Sequence, residues 1–273
     1  MKPAIGRDTM LCMSLAARPG NFGSRFHNHL YESLELDYVY KAFTTRDLNG
    51  AIAGIRALGI RGCAISMPFK EAVIPLLDAL SPSARAIDSV NTIVNDQGHL
   101  TGFNTDYIAV RSLVAKQRLP NDTAFVLRGS GGMAKAVAAA LRDEGLGKGT
   151  IVSRNEPAGR ALAGSYGFEW RADLPEAPTP FLINATSLGM TGADESVLAF
   201  SERAIAACQV AFEVVALPPE TPFVRRARAL EKSVILGSDV AVIQALEQFV
   251  LYTGVRPSLE HTRAAAEFAR LAQ

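Results

Sequence analysis

The sequence has few cysteines, no excess of either charge sign and no long apolar run. Its three cysteines, Cys12, Cys63 and Cys208, stand too far apart for a disulfide framework or a zinc site, so we expect free thiols in the core. Free thiols indicate a reducing compartment and predict a cytoplasmic protein. The formal net charge of +1 provides no basic face for nucleic acid and no charged patch for a membrane. This balanced charge predicts small-molecule partners. No stretch has the length of a signal peptide's apolar region or of a membrane span, which also favours a cytoplasmic protein.

The length of 273 residues and the 48% share of hydrophobic residues permit a large buried core. Chains of this length tend to divide their core, which predicts two domains. Short apolar runs alternate with segments of helical periodicity, a pattern typical of an α/β fold with a parallel, doubly wound sheet. From Ser238 onward the pattern changes to two helices, over residues 239–253 and 257–271. We expect these helices to return and pack on the first domain.

Residues 124–145 predict a strand, a tight turn and a helix. Residues 125–127 form an apolar run suited to a buried strand, and the alanine-rich segment after Met133 favours a helix that ends near Gly145. Gly129, Gly131 and Ala134 have the G-x-G-x-x-A spacing of dinucleotide-binding turns. The alternative is a tight connection without a ligand. Because strand and helix flank the turn, we predict that it binds a nucleotide through the backbone N–H groups of the helix start.

The next predicted strand, residues 150–152, is followed by Ser153-Arg154-Asn155. Dinucleotide-binding domains read the cofactor's ribose at this point, and NAD-dependent enzymes usually place a carboxylate there. An arginine instead suits the 2′-phosphate of NADP, although it could also be an ordinary surface residue. Three more strands are predicted over residues 181–183, 210–215 and 233–237, with a helix from Thr221 to Glu231 between the last two.

Two charged residues of the first half follow predicted strands. Lys70 comes after a strand over residues 62–66, and Pro68 should lie in the first turn of the helix that carries Lys70. Asp106 follows a hairpin and should be the N-cap of a helix over 107–116. The alternatives are a solvated surface lysine and an aspartate that only caps. The other predicted elements are hairpin strands over 89–94 and 99–103, strands over 10–15 and 38–43, a helix over 24–34, and a helix that Thr45 caps and Gly59 ends.

Six short motifs stand in the order found in one family, and through them residues 12 to about 250 resemble the shikimate dehydrogenases. The motifs are Ser66-Met67-Pro68-Phe69-Lys70, Val90-Asn91-Thr92, Gly102-Phe103-Asn104-Thr105-Asp106, Gly129-Ser130-Gly131-Gly132, Asn184-Ala185-Thr186-Ser187-Leu188-Gly189-Met190, and Gly237 with Gln244 and Ala245. The resemblance implies a substrate-binding α/β domain over residues 1–103, an NADP-binding Rossmann domain over 104–237, and helices over 238–273 that pack back on the first domain.

The resemblance also implies reversible hydride transfer between NADPH and the ketone of 3-dehydroshikimate, which gives shikimate. Lys70 and Asp106 are similar in position to the family's catalytic pair. A lysine beside the carbonyl can donate a proton as hydride arrives, and an aspartate can hold its ammonium in place. Ser66, Asn91 and Gln244 resemble residues that hydrogen-bond the ring hydroxyls. The residues implied for the cofactor are Gly129, Ser130, Gly131, Gly132, Met133, Ser153, Arg154, Asn155, Ala185, Thr186, Ser187 and Gly237.

The sequence departs from the family's pattern at two places. The family usually shows Ser-x-Ser-Pro shortly before His-Asn, whereas this chain has Ser14-Leu15-Ala16-Ala17 in the segment before His27-Asn28. The substrate carboxylate could therefore be bound by Ser14, Asn21, Ser24 or an arginine. A tyrosine often found two residues before the proline of a Pro-x-x-Thr motif is replaced by Ala216. Both departures resemble the shikimate dehydrogenase-like branch.

Three alternatives to shikimate dehydrogenation remain from the sequence. The substrate could be quinate or an amino analogue. The chain could be a nucleotide sensor without enzymatic activity, a role that does not need both Lys70 and Asp106. The third alternative is a related two-domain dehydrogenase that acts on folate. In such an enzyme Ser66, Asn91 and Gln244, which resemble ligands of ring hydroxyl groups, would have no evident purpose. Either a monomer or a homodimer is compatible with the sequence.

Overall fold

The computed structural model describes residues 2–271, which form alternating strands and helices. The strands are β1 (Met10–Leu15), β2 (Tyr38–Phe43), β3 (Gly62–Ile65), β4 (Ala79–Leu80), β5 (Thr92–Asp96), β6 (His99–Phe103), β7 (Phe125–Arg128), β8 (Gly149–Val152), β9 (Glu169–Arg171), β10 (Phe181–Asn184), β11 (Val210–Glu213) and β12 (Ser233–Leu236). The helices are α1 (Phe22–Ser33), α2 (Leu48–Ala57), α3 (Phe69–Ala72), α4 (Pro82–Arg85), α5 (Thr105–Ala115), α6 (Gly132–Asp143), α7 (Glu156–Tyr166), α8 (Glu202–Ala207), α9 (Pro222–Ala229), α10 (Gly237–Thr253) and α11 (Leu259–Arg270), and a 3₁₀ turn covers Ile74–Leu76.

The chain divides into two compact units. The first unit comprises the residues up to Thr105 together with those from Val242 onward, and the second comprises Asp106–Ala241. The second boundary falls inside α10, whose later part and α11 belong to the first unit. Along residues 2–271, no helix combines the length and the apolar character needed to cross a membrane.

The first unit contains a mixed sheet in the order β2-β1-β3-β5-β6-β4. Strands β2, β1 and β3 are parallel, β5 is antiparallel to both β3 and β6, and β4 is parallel to β6. The predicted hairpin is therefore present, and Gln97 and Gly98 at its turn have positive φ angles of 53° and 91°, as two-residue hairpin turns require. Consecutive residues of β1 pack in different hydrophobic cores. Cys12 packs with residues of α1, α10 and α11, whereas Met13 packs with residues of α2.

The second unit contains a parallel sheet in the order β12-β11-β10-β7-β8-β9. This is the predicted doubly wound sheet, in which the strand order reverses at the central strand β7. Residues 125–127 are buried as expected of a central strand. Helix α6 buries its alanine-rich face, and Gly145 follows it with a φ of 86°, the left-handed conformation that ends many helices. The short elements β9 and α8 were not predicted.

Several predicted caps were wrong because tertiary or local contacts decide them. Asp47, not Thr45, caps α2 by accepting a hydrogen bond from the Gly50 N–H at 2.8 Å. The Thr45 hydroxyl oxygen instead accepts from the Asp47 N–H at 3.0 Å in the preceding turn. Pro68 is the N-cap of the single-turn helix α3 and not a residue of its first turn.

Asp106 was also predicted as an N-cap and instead lies inside the first turn of α5. The helix begins two residues earlier than predicted, at Thr105. The Thr105 N–H donates to the Asn91 side-chain oxygen at 2.8 Å, and the Asn104 N–H donates to Ser83 Oγ at 3.0 Å. These distant partners satisfy the backbone at the entry to the helix, so no side-chain cap from position 106 is required.

The cysteines lie where the sequence predicted. Cys12, Cys63 and Cys208 are free and buried. Burial raises the pKa of the Cys12 thiol to about 12 and raises the pKa of Cys63 as well. These thiols are small core residues that remain protonated at neutral pH.

Candidate functional site

The glycine turn between β7 and α6 can accommodate a phosphate. Gly129 has a φ of 121°, and a Cβ there would meet the Ala185 carbonyl oxygen at 2.6 Å, so a side chain is excluded on both grounds. A Cβ at Gly131 or Gly132 would meet no atom within 4 Å. Gly131 is the N-cap of α6 and provides no side-chain cap, which leaves the N–H groups of the first turn for a ligand.

This turn is one wall of a cleft of about 570 Å³ at the carboxyl ends of β7, β8 and β10. Ligands of doubly wound sheets bind at this edge, beside the strand where the order reverses. The cleft contains most of the residues predicted to bind the cofactor. Those that line it are Gly129, Ser130, Gly131, Ser153, Arg154, Asn155, Ala185, Thr186 and Ser187. Three predicted residues do not line it, since Gly132 and Met133 begin α6 and Gly237 begins α10.

The three residues after β8 have different roles. Ser153 is buried, donates from Oγ to the Asn155 carbonyl at 3.1 Å and accepts from Trp170 Nε1 at 3.2 Å. The Asn155 side chain caps α7 by accepting from the Ala158 N–H at 3.1 Å. Arg154 is exposed, and its side chain has no hydrogen bond or ion pair with any other part of residues 2–271. Arg154 is thus the member of the three whose side chain can bind a ligand.

The opposite wall, residues 185–188, is held by a buried hydrogen-bond network that sequence reasoning missed. Glu213 at the end of β11 is fully buried and accepts from Asn184 Nδ2 at 2.9 Å, Thr221 Oγ1 at 2.8 Å and the Val215 N–H at 3.0 Å. Asn184 in turn donates to the Leu188 carbonyl at 3.0 Å and accepts from the Thr186 N–H at 3.1 Å. The carboxyl group therefore fixes the asparagine that shapes the wall of the cleft.

Glu213 has an unusual environment for a carboxyl group. Burial raises its pKa from 4.5 to about 7, against the opposing effect of the hydrogen bonds from Val215, Thr221 and Asn184. Nothing in the local sequence distinguishes Glu213 from an exposed strand residue. Its burial follows from the position of β11 inside the sheet and from the helix that begins after Thr221.

A second polar cluster lies in the first unit and includes two of the residues predicted to bind substrate. Asn91 is almost fully buried, donates from Nδ2 to Thr105 Oγ1 at 3.0 Å and accepts from the Thr105 N–H at 2.8 Å. Gln248 donates to the Asn91 carbonyl at 3.2 Å and to Thr92 Oγ1 at 3.0 Å. Gln244 donates to the Gln248 side chain at 3.4 Å. Gln248 was missed, although it stands one helical turn after Gln244.

The remaining predicted residues of the first unit lie near strand ends. Lys70 in α3 is half-buried, and its carbonyl accepts from the Val90 N–H at 2.9 Å, directly before Asn91. Ser66 follows β3 and is exposed, and Ser14 near the end of β1 is half-buried. Ser24 lies within α1 and is half-buried, and Asn21 is the N-cap of that helix without a side-chain cap bond. In the second unit, Asp106 is buried with 7% of its surface exposed.

No group of three or more histidine, cysteine or acidic side chains in the described part of the chain could hold a metal ion.

The doubly wound parallel sheet and its glycine turn define a Rossmann-type protein with a second α/β unit. Residues 22–93 match the family model of the shikimate dehydrogenase substrate binding domain. A shikimate dehydrogenase-like protein of Haemophilus influenzae is 53% identical, with 97% of this chain and 98% of that protein covered.

Solved structures agree with this similarity. A shikimate 5-dehydrogenase-like protein has a TM-score of 0.95 and 53% identity, and the comparison covers 98% of this chain and 100% of the other. The shikimate 5-dehydrogenase of Thermus thermophilus, solved in complex with NADP(H) and shikimate, has a TM-score of 0.83 and 30% identity, with coverage of 95% and 100%. The chain belongs to the shikimate dehydrogenase family.

Proposed function

We propose that this protein is an NADP-dependent dehydrogenase that interconverts 3-dehydroshikimate, or a close analogue, and the corresponding alcohol. The observation that carries the proposal is the cleft of the second unit, where the open glycine turn and the exposed Arg154 lie on neighbouring strand ends. The relative solved with NADP(H) and shikimate supports both the cofactor and the class of substrate.

The residues of the cleft fit NADP. The turn at Gly129 and Gly131 offers backbone N–H groups and space for a pyrophosphate. Arg154 is a guanidinium without a carboxylate partner in residues 2–271, which suits a 2′-phosphate. The cofactor, when bound, supplies or accepts the hydride of the reaction. The domain over residues 104–237 is therefore proposed as the cofactor domain and residues 1–103 as the substrate domain, with 238–273 completing the latter.

The proton of the reaction is proposed to move at Lys70 Nζ. In the direction of reduction the carbonyl carbon gains a hydride, and the ammonium of Lys70 donates a proton to the oxygen that becomes the hydroxyl. Asp106 is the proposed carboxylate partner that keeps this lysine charged and oriented. Ser66, Asn91 and Gln244 are the proposed ligands of the substrate's hydroxyl groups. The Asn91 amide is already fixed by Thr105, so it would present its remaining N–H in one orientation.

The proposal extends to the physiological substrate and to the cellular location of the protein. The physiological substrate is proposed to be shikimate, with quinate as the alternative favoured by Ala216, whose methyl group replaces a much larger side chain. We propose a cytoplasmic location from the buried free thiols.

The test follows NADPH formation by absorbance with shikimate, quinate and their amino analogues at several pH values. We expect activity with shikimate and NADP, and a fall in kcat of roughly 10²- to 10⁴-fold for Lys70→Ala, the usual range for a general acid–base group. NADPH affinity should remain near that of the wild type. Lys116→Ala removes an exposed lysine directly after α5 and is the matched control. Activity with none of these substrates, or a Lys70→Ala variant that keeps more than about a third of kcat, would contradict the proposal.

A further inference from the structure

Arg128 is a second arginine in the cofactor cleft. It is the last residue of β7, directly before Gly129, and it lines the cleft together with Arg154. In the parallel ladder Arg128 is paired with Val152, which precedes Arg154 by two residues. Because neighbouring strands lie about 4.8 Å apart, the two arginines leave adjacent strand ends on the same edge of the sheet.

The two positive charges are close and lack a carboxylate partner. Burial and the charge of Arg154 both lower the pKa of Arg128. Within residues 2–271 neither side chain forms a salt bridge, and Asp173, which also lines the cleft, pairs with neither of them. Placing two unpaired guanidinium groups side by side costs free energy, and an anionic ligand between them would offset that cost.

Arg128 is also held in place. It is half-buried, and one of its terminal nitrogens donates to the Ala199 carbonyl, a fully buried residue. A guanidinium has several further N–H donors in a planar fork, and no other hydrogen bond of this side chain is found among the described residues. Since its side chain is already ordered, little conformational entropy remains to be lost when a phosphate binds.

We propose that Arg128, together with Arg154, binds the 2′-phosphate of NADP and so determines the preference for NADP over NAD. This inference rests on the proposed function, because it assumes that the cleft is the cofactor site. A purely structural role for Arg128, in which it only ties Ala199 to β7, predicts that NADP and NAD are affected alike. The two roles therefore predict different effects of an Arg128 substitution on the ratio of the affinities for NADP and NAD.

The experiment uses the full chain and the adenosine halves of NADP and NAD, 2′,5′-ADP and 5′-AMP, which differ only in the 2′-phosphate. Their Kd values are measured by calorimetric titration. The variants are Arg128→Met, Arg128→Lys and the control Arg171→Met, which removes an exposed arginine on β9 that does not line the cleft. Arg128→Met should weaken 2′,5′-ADP by about 10- to 100-fold and 5′-AMP by less than about threefold, as expected for the loss of a charge-assisted hydrogen bond. Arg171→Met should leave the ratio of the two Kd values unchanged.

Equal weakening of both ligands by Arg128→Met, or no weakening of either, would overturn the inference while leaving the proposed function intact. A wild-type protein that does not distinguish 2′,5′-ADP from 5′-AMP would instead contradict the proposed NADP dependence itself. Thermal unfolding without ligand shows whether each variant folds. If Arg128→Met does not fold, Arg128→Lys takes its place, because lysine keeps the charge and loses the planar fork. The inference then requires that the Kd of 2′,5′-ADP rise by about threefold or more relative to the Kd of 5′-AMP.

Discussion

Glu213 should make the stability of this protein depend on pH in a direction opposite to that of most carboxyl groups. Its carboxyl is fully buried, and burial raises its pKa from 4.5 to about 7. Between these two pH values the native state keeps the proton while the unfolded chain loses it. The free energy of unfolding therefore falls as the pH rises from about 4.5 to about 7. This contribution is fully present below 4.5 and is lost once the native carboxyl ionises.

The magnitude follows from the two pKa values. One pKa unit corresponds to about 1.4 kcal/mol, so the difference between 4.5 and 7 amounts to about 3 kcal/mol of unfolding free energy. Glu213→Gln provides the reference, because an amide has the shape of the protonated carboxyl group and cannot ionise. Its oxygen can accept from Asn184 and Val215, and its NH₂ group can donate to Thr221 Oγ1.

The assay is urea unfolding of the wild type and of Glu213→Gln at pH values from 4.5 to 8. Subtracting the two curves removes every other titrating group, and the wild type should lose about 3 kcal/mol relative to the variant across this range. Glu176→Gln, at an exposed loop position, is the control and should give a curve parallel to that of the wild type. A difference that is flat with pH would refute the reasoning, since it would mean that the native carboxyl has an ordinary pKa.

Three further predictions concern the proposed reaction. Asp106→Asn should lower kcat and raise the substrate KM, because the proposed lysine partner loses its counter-charge; an unchanged kcat would exclude this role. Arg154→Ala should weaken NADPH by about 1.5–3 kcal/mol and leave NADH nearly unaffected, whereas equal weakening in fluorescence titrations would make Arg154 structural. Ala216→Tyr should raise kcat/KM for shikimate by roughly 3- to 100-fold and lower the ratio of quinate to shikimate turnover, because one hydrogen bond and a ring are added. An unchanged or poorer shikimate value in a folded variant would mean that position 216 does not face the substrate.

The secondary structure illustrates how far local sequence information extends. The bounds predicted for β1 and β2, residues 10–15 and 38–43, are those of the structure. Both strands are short, mainly apolar runs bounded by loop residues. By contrast, the cap of α2 was assigned to Thr45 and belongs to Asp47, because two residues capable of capping stand two positions apart and only the chain's path chooses between them. The three-residue strand β9 was not predicted, because it is too short to show a hydrophobic periodicity of its own.

The sequence by itself determined the class of fold and the position of the glycine turn. Both depend on signals that are local in the chain, namely the alternation of apolar runs with helical periods and the need for glycine at Gly129, where the φ angle and the Ala185 carbonyl exclude any side chain. The proposal that Arg154 binds the 2′-phosphate of the cofactor is also based on a local signal, its position after a predicted strand.

Only the tertiary structure decided which polar residues are buried and which face the cleft. Glu213, Gln248 and Arg128 look like ordinary surface residues in the sequence. They become a buried acid, a buried amide and a cleft residue because β11 lies within a sheet, the later part of α10 belongs to the core of the first unit, and β7 ends beside β8. Long-range packing thus sets the burial, charge environment and pKa of such groups, and these properties depend on neighbours that are distant in the chain.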